Sequence, residues 1–262
     1  MKTAATNIVE LTDRGLYCAA GDFYIDPWRP VPRAVISHAH ADHARPGSGL
    51  YFAETSGFPI LRQGHPLAYG EELRLGRARV SLHPAGHILG SAQVRVEVDG
   101  EVWVVTGDFK RDDDPTCAPF EVVPCDTLVT EATFALPIYR WPALAPVAQD
   151  IYHWWQQNAA LGRASVLFCY ALGKAQRVLS ALAAHTDQRV LLHGAVVPIT
   201  DIYREAGVAT VPTEPALEAE VDKKFAGELV IAPPGANGTA WMKRFGSCGT
   251  GFCSGWMLLR GN

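Results

Sequence analysis

The 262-residue sequence holds no apolar run near the ~18 residues that a membrane-spanning helix requires. The stretch Met1 to Leu11 lacks an apolar signal core, so export is not indicated and a cytoplasmic protein is expected. Tandem repeats and low-complexity tracts are absent as well. No CxxC occurs among the six cysteines Cys18, Cys117, Cys125, Cys169, Cys248 and Cys253. This spacing argues against a disulfide framework and for reduced, mostly buried thiols. A basic excess is also lacking, since 23 Lys and Arg stand against 27 Asp and Glu for a net charge of −4. Simple electrostatic binding to a polyanion is therefore not written into the composition. What remains, 48% hydrophobic and 19% charged residues, is the make-up of a soluble globular chain of one large or two smaller domains.

The chain is organised around Val35-Ile36-Ser37-His38-Ala39-His40-Ala41-Asp42-His43. Arg33 to Ser37 is mostly apolar, β-branched at its centre, and reads as a buried strand. In an extended segment alternate side chains share a side, which groups His38, His40 and Asp42. His43 returns to the same place once the chain curls, and a short helix is expected over His43 to Arg45. Imidazole and carboxylate suit Zn²⁺ and related ions. Small Ala39 and Ala41 leave room for one beside the backbone. Four such groups at this density repel or go unsatisfied without a cation, which makes a merely polar loop a poor reading.

Upstream, Met1 to Asp13 reads as a lead-in, followed by strands Gly15–Cys18 and Phe23–Ile25 around Gly21-Asp22. Downstream, Leu50–Phe52 reads as a strand, Glu54–Arg62 as a helix, and His65 as a loop residue facing solvent. Leu73–Leu75 and Ala78–Leu82 form a hairpin at Gly76. Gln93–Val98 and Glu101–Val105 form another at Asp99-Gly100, a strong turn signal. His87, flanked by Gly86, sits where a corner between strands can bring its ring to a metal. His83 lacks that flank and reads as structural. Asp108 follows Gly107 at the end of a strand, again well placed to reach a metal. Cys125–Thr130 reads as a buried strand ending at Glu131.

From about Tyr139 the texture changes to alternating helices and strands. Helices are expected over Ala143–Ala160, Lys174–His185 and Ile199–Ala206. Strands are expected over Ser165–Tyr170, Arg189–Leu192, Leu229–Ala232 and Phe252–Leu259. The alternation implies a mainly parallel sheet with helices on its faces. Within Tyr170-Ala171-Leu172-Gly173-Lys174-Ala175-Gln176-Arg177 a glycine opens a helix, exposing backbone N–H groups that attract phosphate, with Lys174 adding charge. The spacing is not that of a nucleotide-triphosphate loop. His153 reads as a helix-face residue and His193, before Gly194, as a weak candidate for substrate contact.

Val35 to His43 carries the HxHxDH signature, and with it the chain resembles the metallo-β-lactamase superfamily. Gly21 to Pro30, His43 to Gly49, Asp114 to Phe120, Thr130 to Phe134 and Ala171 to Gln176 are similar to the β-CASP branch, in particular the bacterial ligase-associated DNA exonucleases. The resemblance implies an α/β fold, an incomplete metallo-β-lactamase αββα sandwich over residues 1–137 and a β-CASP parallel-sheet domain over 138–262. It implies one Zn²⁺ held by His38, His40, His87 and Asp108. A second would be held by Asp42, His43 and the bridging Asp108, one protein ligand short; Mn²⁺ is the alternative ion. Asp42, Asp108 and Glu131 take the catalytic roles, Lys174, Gln176 and Arg177 bind substrate, and Asp26 either braces a ligand histidine or caps a turn. The implied partner is nucleic acid, DNA in preference to RNA, with a DNA ligase or helicase of a repair pathway beside it and no membrane.

Bound divalent ions offset the charge deficit, and Arg29, Arg33, Lys110, Arg111, Arg140, Lys174 and Arg177 recur beside the motifs. The pattern departs from the branch in one respect: no histidine follows His193. In β-CASP proteins the chain returns to the first domain with an Asp-His motif and a further ligand histidine. The sequence therefore reads as C-terminally truncated, with exposed apolar surface, low stability or association, and impaired catalysis as expectations. Two rival functions share the metal motif: a small-molecule hydrolase acting on a thioester or lactam, and a nucleic-acid-binding protein without catalysis.

Overall fold

The computed structural model describes residues 7–61, 64–140, 144–219 and 225–255. Two compact units divide the chain, Met1–Thr133 and Phe134–Asn262. The first holds two sheets. One runs β1 (Glu10–Thr12), β2 (Gly15–Cys18), β3 (Phe23–Ile25), β4 (Arg33–Val35), β5 (Leu50–Glu54) and β6 (His65–Leu67) in spatial as in chain order. Its first three strands pair antiparallel and the rest parallel. The other sheet has β7 (Leu73–Leu75), β8 (Ala78–Pro84), β9 (Ala92–Val98), β10 (Glu101–Val105) and β11 (Thr127–Val129), antiparallel except for β10 with β11.

Alternation decides which face is buried. Cys18, Phe23, Ile25, Val35 and Phe52 of the first sheet share one core with Val80, Leu82, Val94, Val96 and Val105 of the second. The two sheets thus lie face to face, the inner layers of the sandwich. On the outer face of the first sheet, Ala34, Ile36, Tyr51 and Ala53 pack with Leu61 of the short helix α1 (Phe58–Leu61). Asp99 and Gly100 both take positive φ, 52° and 91°, the turn geometry that lets β9 and β10 pair without splaying.

Several expectations are corrected here. Residues 41–43 form a turn closed by Ala44 N–H to His40 O (2.8 Å), not a helix over His43 to Arg45. Pro46 biases Arg45 away from helical backbone, which stops the turn from propagating. The helix expected from Glu54 starts only at Phe58, because the Glu54 carboxylate ends β5 by accepting from Ser56 N–H, Ser56 hydroxyl and Gly57 N–H; Arg62 lies outside the described residues. His65 is exposed but belongs to β6, and the lead-in contains β1. β11 is not buried: it is an edge strand with a neighbour on one side, and its Leu128 faces outward.

The second unit contains α2 (Leu144–Ala160), β12 (Ser165–Phe168), α3 (Lys174–Leu182), β13 (Val190–Leu192), α4 (Val197–Glu205), β14 (Thr213–Pro215), β15 (Leu229–Ala232) and β16 (Gly249–Phe252). Its sheet runs β14-β13-β15-β12-β16, every pair parallel. Both faces are covered, as a parallel sheet requires. Leu167, Leu192 and Ile231 meet Trp155 of α2 and Val178 and Leu179 of α3. On the other face Val166, Phe168 and Val230 meet Phe245 from a 3₁₀ turn, Ala240–Phe245. β14 was not anticipated, and the last strand ends at Phe252; Ala143 and residues 256–259 lie outside the described residues. Among the described residues no helix is long and apolar enough to cross a membrane.

Candidate metal centre

The centre forms where the ends of the two sheets of the first unit meet. Ala92 N–H at the start of β9 donates to Ser37 O just past β4 (2.7 Å), and Lys110 N–H donates to Ala85 O (2.9 Å), which ties the Asp108 loop to the His87 loop. Two glycines make the approach tolerable. Gly107 has φ 56°, and a Cβ there would stand 2.6 Å from the Ser37 side chain. Gly86 has φ 72°, and its Cβ would stand 2.2 Å from Lys110 O. Ser91 Oγ accepts from the N–H groups of His87 (3.0 Å) and Ile88 (3.1 Å), fixing the corner that carries the His87 ring.

His38, His40, His87 and Asp108 bring one ligand atom each within 4.8 Å of one another. His38 Nε2 is 3.0 Å from His40 Nδ1, and His87 Nε2 is 3.4 Å from the same atom. Asp108 Oδ2 is 3.8 Å from the Nε2 of His38 and of His87. A tetrahedral ion with ligands at about 2.0–2.2 Å sets its ligand atoms about 3.3–3.6 Å apart, so the donors and their spacing fit such an ion. On the far side of the same carboxylate, Asp108 Oδ1 is 3.4 Å from His43 Nε2, which is in turn 3.8 Å from Asp42 Oδ2. The Asp42 side chain is 74% exposed. Asp108 thus presents one oxygen to each of two donor groups.

A single carboxylate orients the rings. Asp26, at φ 44° just after β3, accepts from Ser37 N–H at Oδ1 (2.7 Å) and from the Ser37 hydroxyl at Oδ2 (2.5 Å). The hydroxyl proton being committed there, Ser37 Oγ accepts from His38 Nδ1–H (3.0 Å), which leaves the Nε2 lone pair for the centre. Asp26 Oδ2 also accepts from His43 Nδ1–H (2.8 Å), and the His43 Nε2 then faces Asp108. Partners of this kind set tautomer and ring direction at metal sites.

The charges follow the same geometry. Burial holds His38 well below the usual imidazole range, reinforced by the neighbouring His43, His87 and His40, so its lone pair is available. Burial opposes a charge on His43, but the hydrogen bonds and charges of Asp108 and Asp26 outweigh it and raise it to about 10. Burial likewise opposes the Asp108 carboxylate, yet His43, His38 and His87 bring it down to about 2. A metal ion entering there would have to displace the proton that His43 holds between Asp26 and Asp108.

Other sequence candidates lie elsewhere. Glu131, half-buried past β11, accepts from Thr133 N–H (2.8 Å) at its carboxylate and donates its own N–H to Thr106 Oγ1 (3.3 Å). It stands outside the four-residue group. His83 is held between Ser81 Oγ (3.0 Å) and Glu121 Oε1 (3.1 Å). Lys174 and Arg177 are half-buried on α3. Gln176 as a substrate contact is corrected: it is fully buried, its Oε1 accepts from Gly173 N–H (2.8 Å) and its Nε2 donates to Ala171 O (3.0 Å) and Thr200 Oγ1 (3.1 Å). Of the backbone N–H groups at this helix start, that of Gly173 is thereby taken by the helix's own third residue. Ser37 and Ser91 were not singled out; Ser37 adjoins His38, whereas Ser91 lies four residues past His87 and has no such signal.

No family model matches the chain. Among curated proteins it is 32% identical over 253 residues to a probable DNA ligase of Opitutus terrae, covering 93% of this chain and 24% of that protein. It is 23% identical over 229 residues to an RNase J-like protein of Methanocaldococcus jannaschii, covering 74% of this chain and 54% of that protein. With cleavage and polyadenylation specificity factor 73 of Drosophila melanogaster it shares 32% identity over 132 residues, 48% of this chain and 18% of that protein. Its homologues include β-CASP members of the metallo-β-lactamase superfamily. The chain spans about a quarter of the length of its Opitutus relative and about half of its Methanocaldococcus relative. Its histidine and aspartate cluster is a site that can hold a metal ion.

Proposed function

We propose that the chain hydrolyses phosphodiester bonds of nucleic acid at the metal centre, and that DNA ends are its substrate. The observation that carries the reading is the Asp108 carboxylate, whose Oδ2 faces His38 and His87 while Oδ1 faces His43. His38, His40, His87 and Asp108 hold one ion; Asp42, His43 and Asp108 hold a second more weakly, with fewer protein donors. Zn²⁺ is the expected ion and Mn²⁺ the substitute. A divalent ion at such a site polarises the phosphoryl group and makes a nucleophile of water near neutral pH.

The chain's own residues do the rest. Asp42, open to solvent, orients the attacking water and takes its proton. Asp26 and Ser37 keep the rings of His38 and His43 pointed at the reacting group. Glu131 acts by position, through its bond to Thr106 beside the Asp108 loop. Lys174 and Arg177 contribute positive charge toward the sugar-phosphate backbone, contacts that carry little sequence information. Similarity across 93% of the chain to a protein named a probable DNA ligase is the reason for preferring DNA ends as substrate. The ribonuclease names of other relatives make RNA the comparison to run.

The test is incubation of the purified chain with Zn²⁺ or Mn²⁺ and 5′- or 3′-labelled DNA and RNA, single- and double-stranded. Stepwise shortening of DNA from one end, abolished by chelation, is expected. Turnover of a generic thioester with every oligonucleotide intact would point to the small-molecule hydrolase instead. Salt-sensitive binding without cleavage would point to a binding protein.

A further inference from the structure

The second unit carries an aromatic and cationic cluster that no step above uses. His193 follows β13 directly. Its Nδ1 accepts from Ala195 N–H (3.1 Å), a backbone donor, so the neutral ring carries its proton on Nε2. Burial and then the nearby Arg244 charge lower its proton affinity, which keeps the ring neutral. The His193 ring centre lies 4.8 Å from that of Trp241, the planes at 68°. Trp241, second in its 3₁₀ turn, is half-buried, and Phe245, fully buried and 4.7 Å from the indole centre, anchors the turn in the core. Arg244 places its Cζ 5.5 Å from the indole centre and donates its Nε–H to Trp241 O (2.9 Å).

The turn Ala240-Trp241-Met242-Lys243-Arg244-Phe245 has two cations and no acid, and Lys243 is exposed. His193 also sits at the carboxyl end of a parallel strand, where α/β sheets place their ligands. Next to it, past Gly194, a cleft of about 220 Å³ opens between Val197, Pro198, Pro215 and Leu217, with Glu218 on its wall, which suits a base rather than a phosphate. An aromatic face for a base with cations for the flanking phosphates is the recurring means of holding a single strand without reading it.

We propose that His193, Trp241 and Arg244 form a nucleotide-holding site for single-stranded nucleic acid, the indole taking a base and the His193 Nε2–H and Arg244 guanidinium the adjoining phosphate. The proposal rests on the nucleic-acid reading above and assigns a specific contact within it. The site binds without sequence preference, because every base offers a π-face.

The test is fluorescence anisotropy of the full chain, with Zn²⁺, titrated into a phosphorothioate-linked oligothymidylate that resists cleavage. Trp241→Ala is expected to weaken binding about ten-fold or more, and Trp241→Phe to stay within about three-fold of wild type. Arg244→Gln is expected to weaken binding and to lower the slope of log affinity against log salt by about one, a readout that loss of packing does not move in that way. Should Trp241→Ala fail to fold, the salt slope of Arg244→Gln decides. Trp241→Ala and Arg244→Gln variants that bind like wild type with an unchanged slope would overturn the site while leaving the nucleic-acid reading intact. A wild-type chain that binds no oligonucleotide at any salt overturns both.

Discussion

Alanine at both His40 and His87 is expected to remove metal retention and cleavage together. The two rings supply two of four donors, and His38 with Asp108 is all that would remain of the set. Cleavage should fall by about a thousand-fold or more, the scale on which losing a transition-state stabiliser is felt. The fold should survive, because both rings are half-buried at the sheet ends and contribute nothing to the core shared by the two sheets. Thermal melts separate the two effects. Without metal, wild type and variant should differ by about 1 kcal/mol at most. With Zn²⁺ at a thousand times its dissociation constant, wild type should gain about 4 kcal/mol and the variant nothing. A variant that still melts higher with Zn²⁺ would place the ion elsewhere.

The second large effect is expected from Asp26→Asn, at a residue that touches no reacting group. Asparagine tolerates the positive φ of 44° and keeps the shape of the side chain, so the backbone has no reason to move. What changes is acceptance. The carboxylate takes hydrogen bonds from Ser37 N–H, the Ser37 hydroxyl and His43 Nδ1–H; an amide offers one oxygen and two competing donors. His43 then loses the partner that fixes its tautomer, and Ser37 is freed to donate to His38. Metal affinity and turnover are each expected to drop about 10- to 100-fold, the range for groups that orient ligands from behind. Metal titration and single-turnover cleavage would measure both. A variant with wild-type affinity and rate would show that the rings are held by packing alone.

How much of this was readable beforehand depends on range along the chain. His38 and His40 were legible as neighbours because alternation along an extended segment acts over a few residues, whereas Asp42, expected beside them, lies in the turn and outside the four-residue group. The Asp99-Gly100 hairpin was legible for the same reason. His87 and Asp108 reach the centre only through the stacking of two sheets, and the residues around them indicated a corner and a strand end rather than a destination. Resemblance to known proteins closed that gap. The bracing by Ser37 and Ser91 was not legible, since a serine hydroxyl carries no sign of its eventual partner. Gln176 was misassigned because a side chain that caps its own helix and one that faces a ligand have the same sequence. β1 and β14 were missed because Glu10-Leu11-Thr12 and Thr213-Glu214-Pro215 lack the apolar, β-branched signature of a strand.

The most direct measurement of the central claim is anomalous diffraction at the zinc absorption edge from crystals of the metal-loaded chain. The account predicts a peak about 2 Å from each of His38 Nε2, His40 Nδ1, His87 Nε2 and Asp108 Oδ2, with any weaker second peak between Asp108 Oδ1 and His43 Nε2. A chain that takes up zinc only at other residues, with these four atoms facing water, would contradict it.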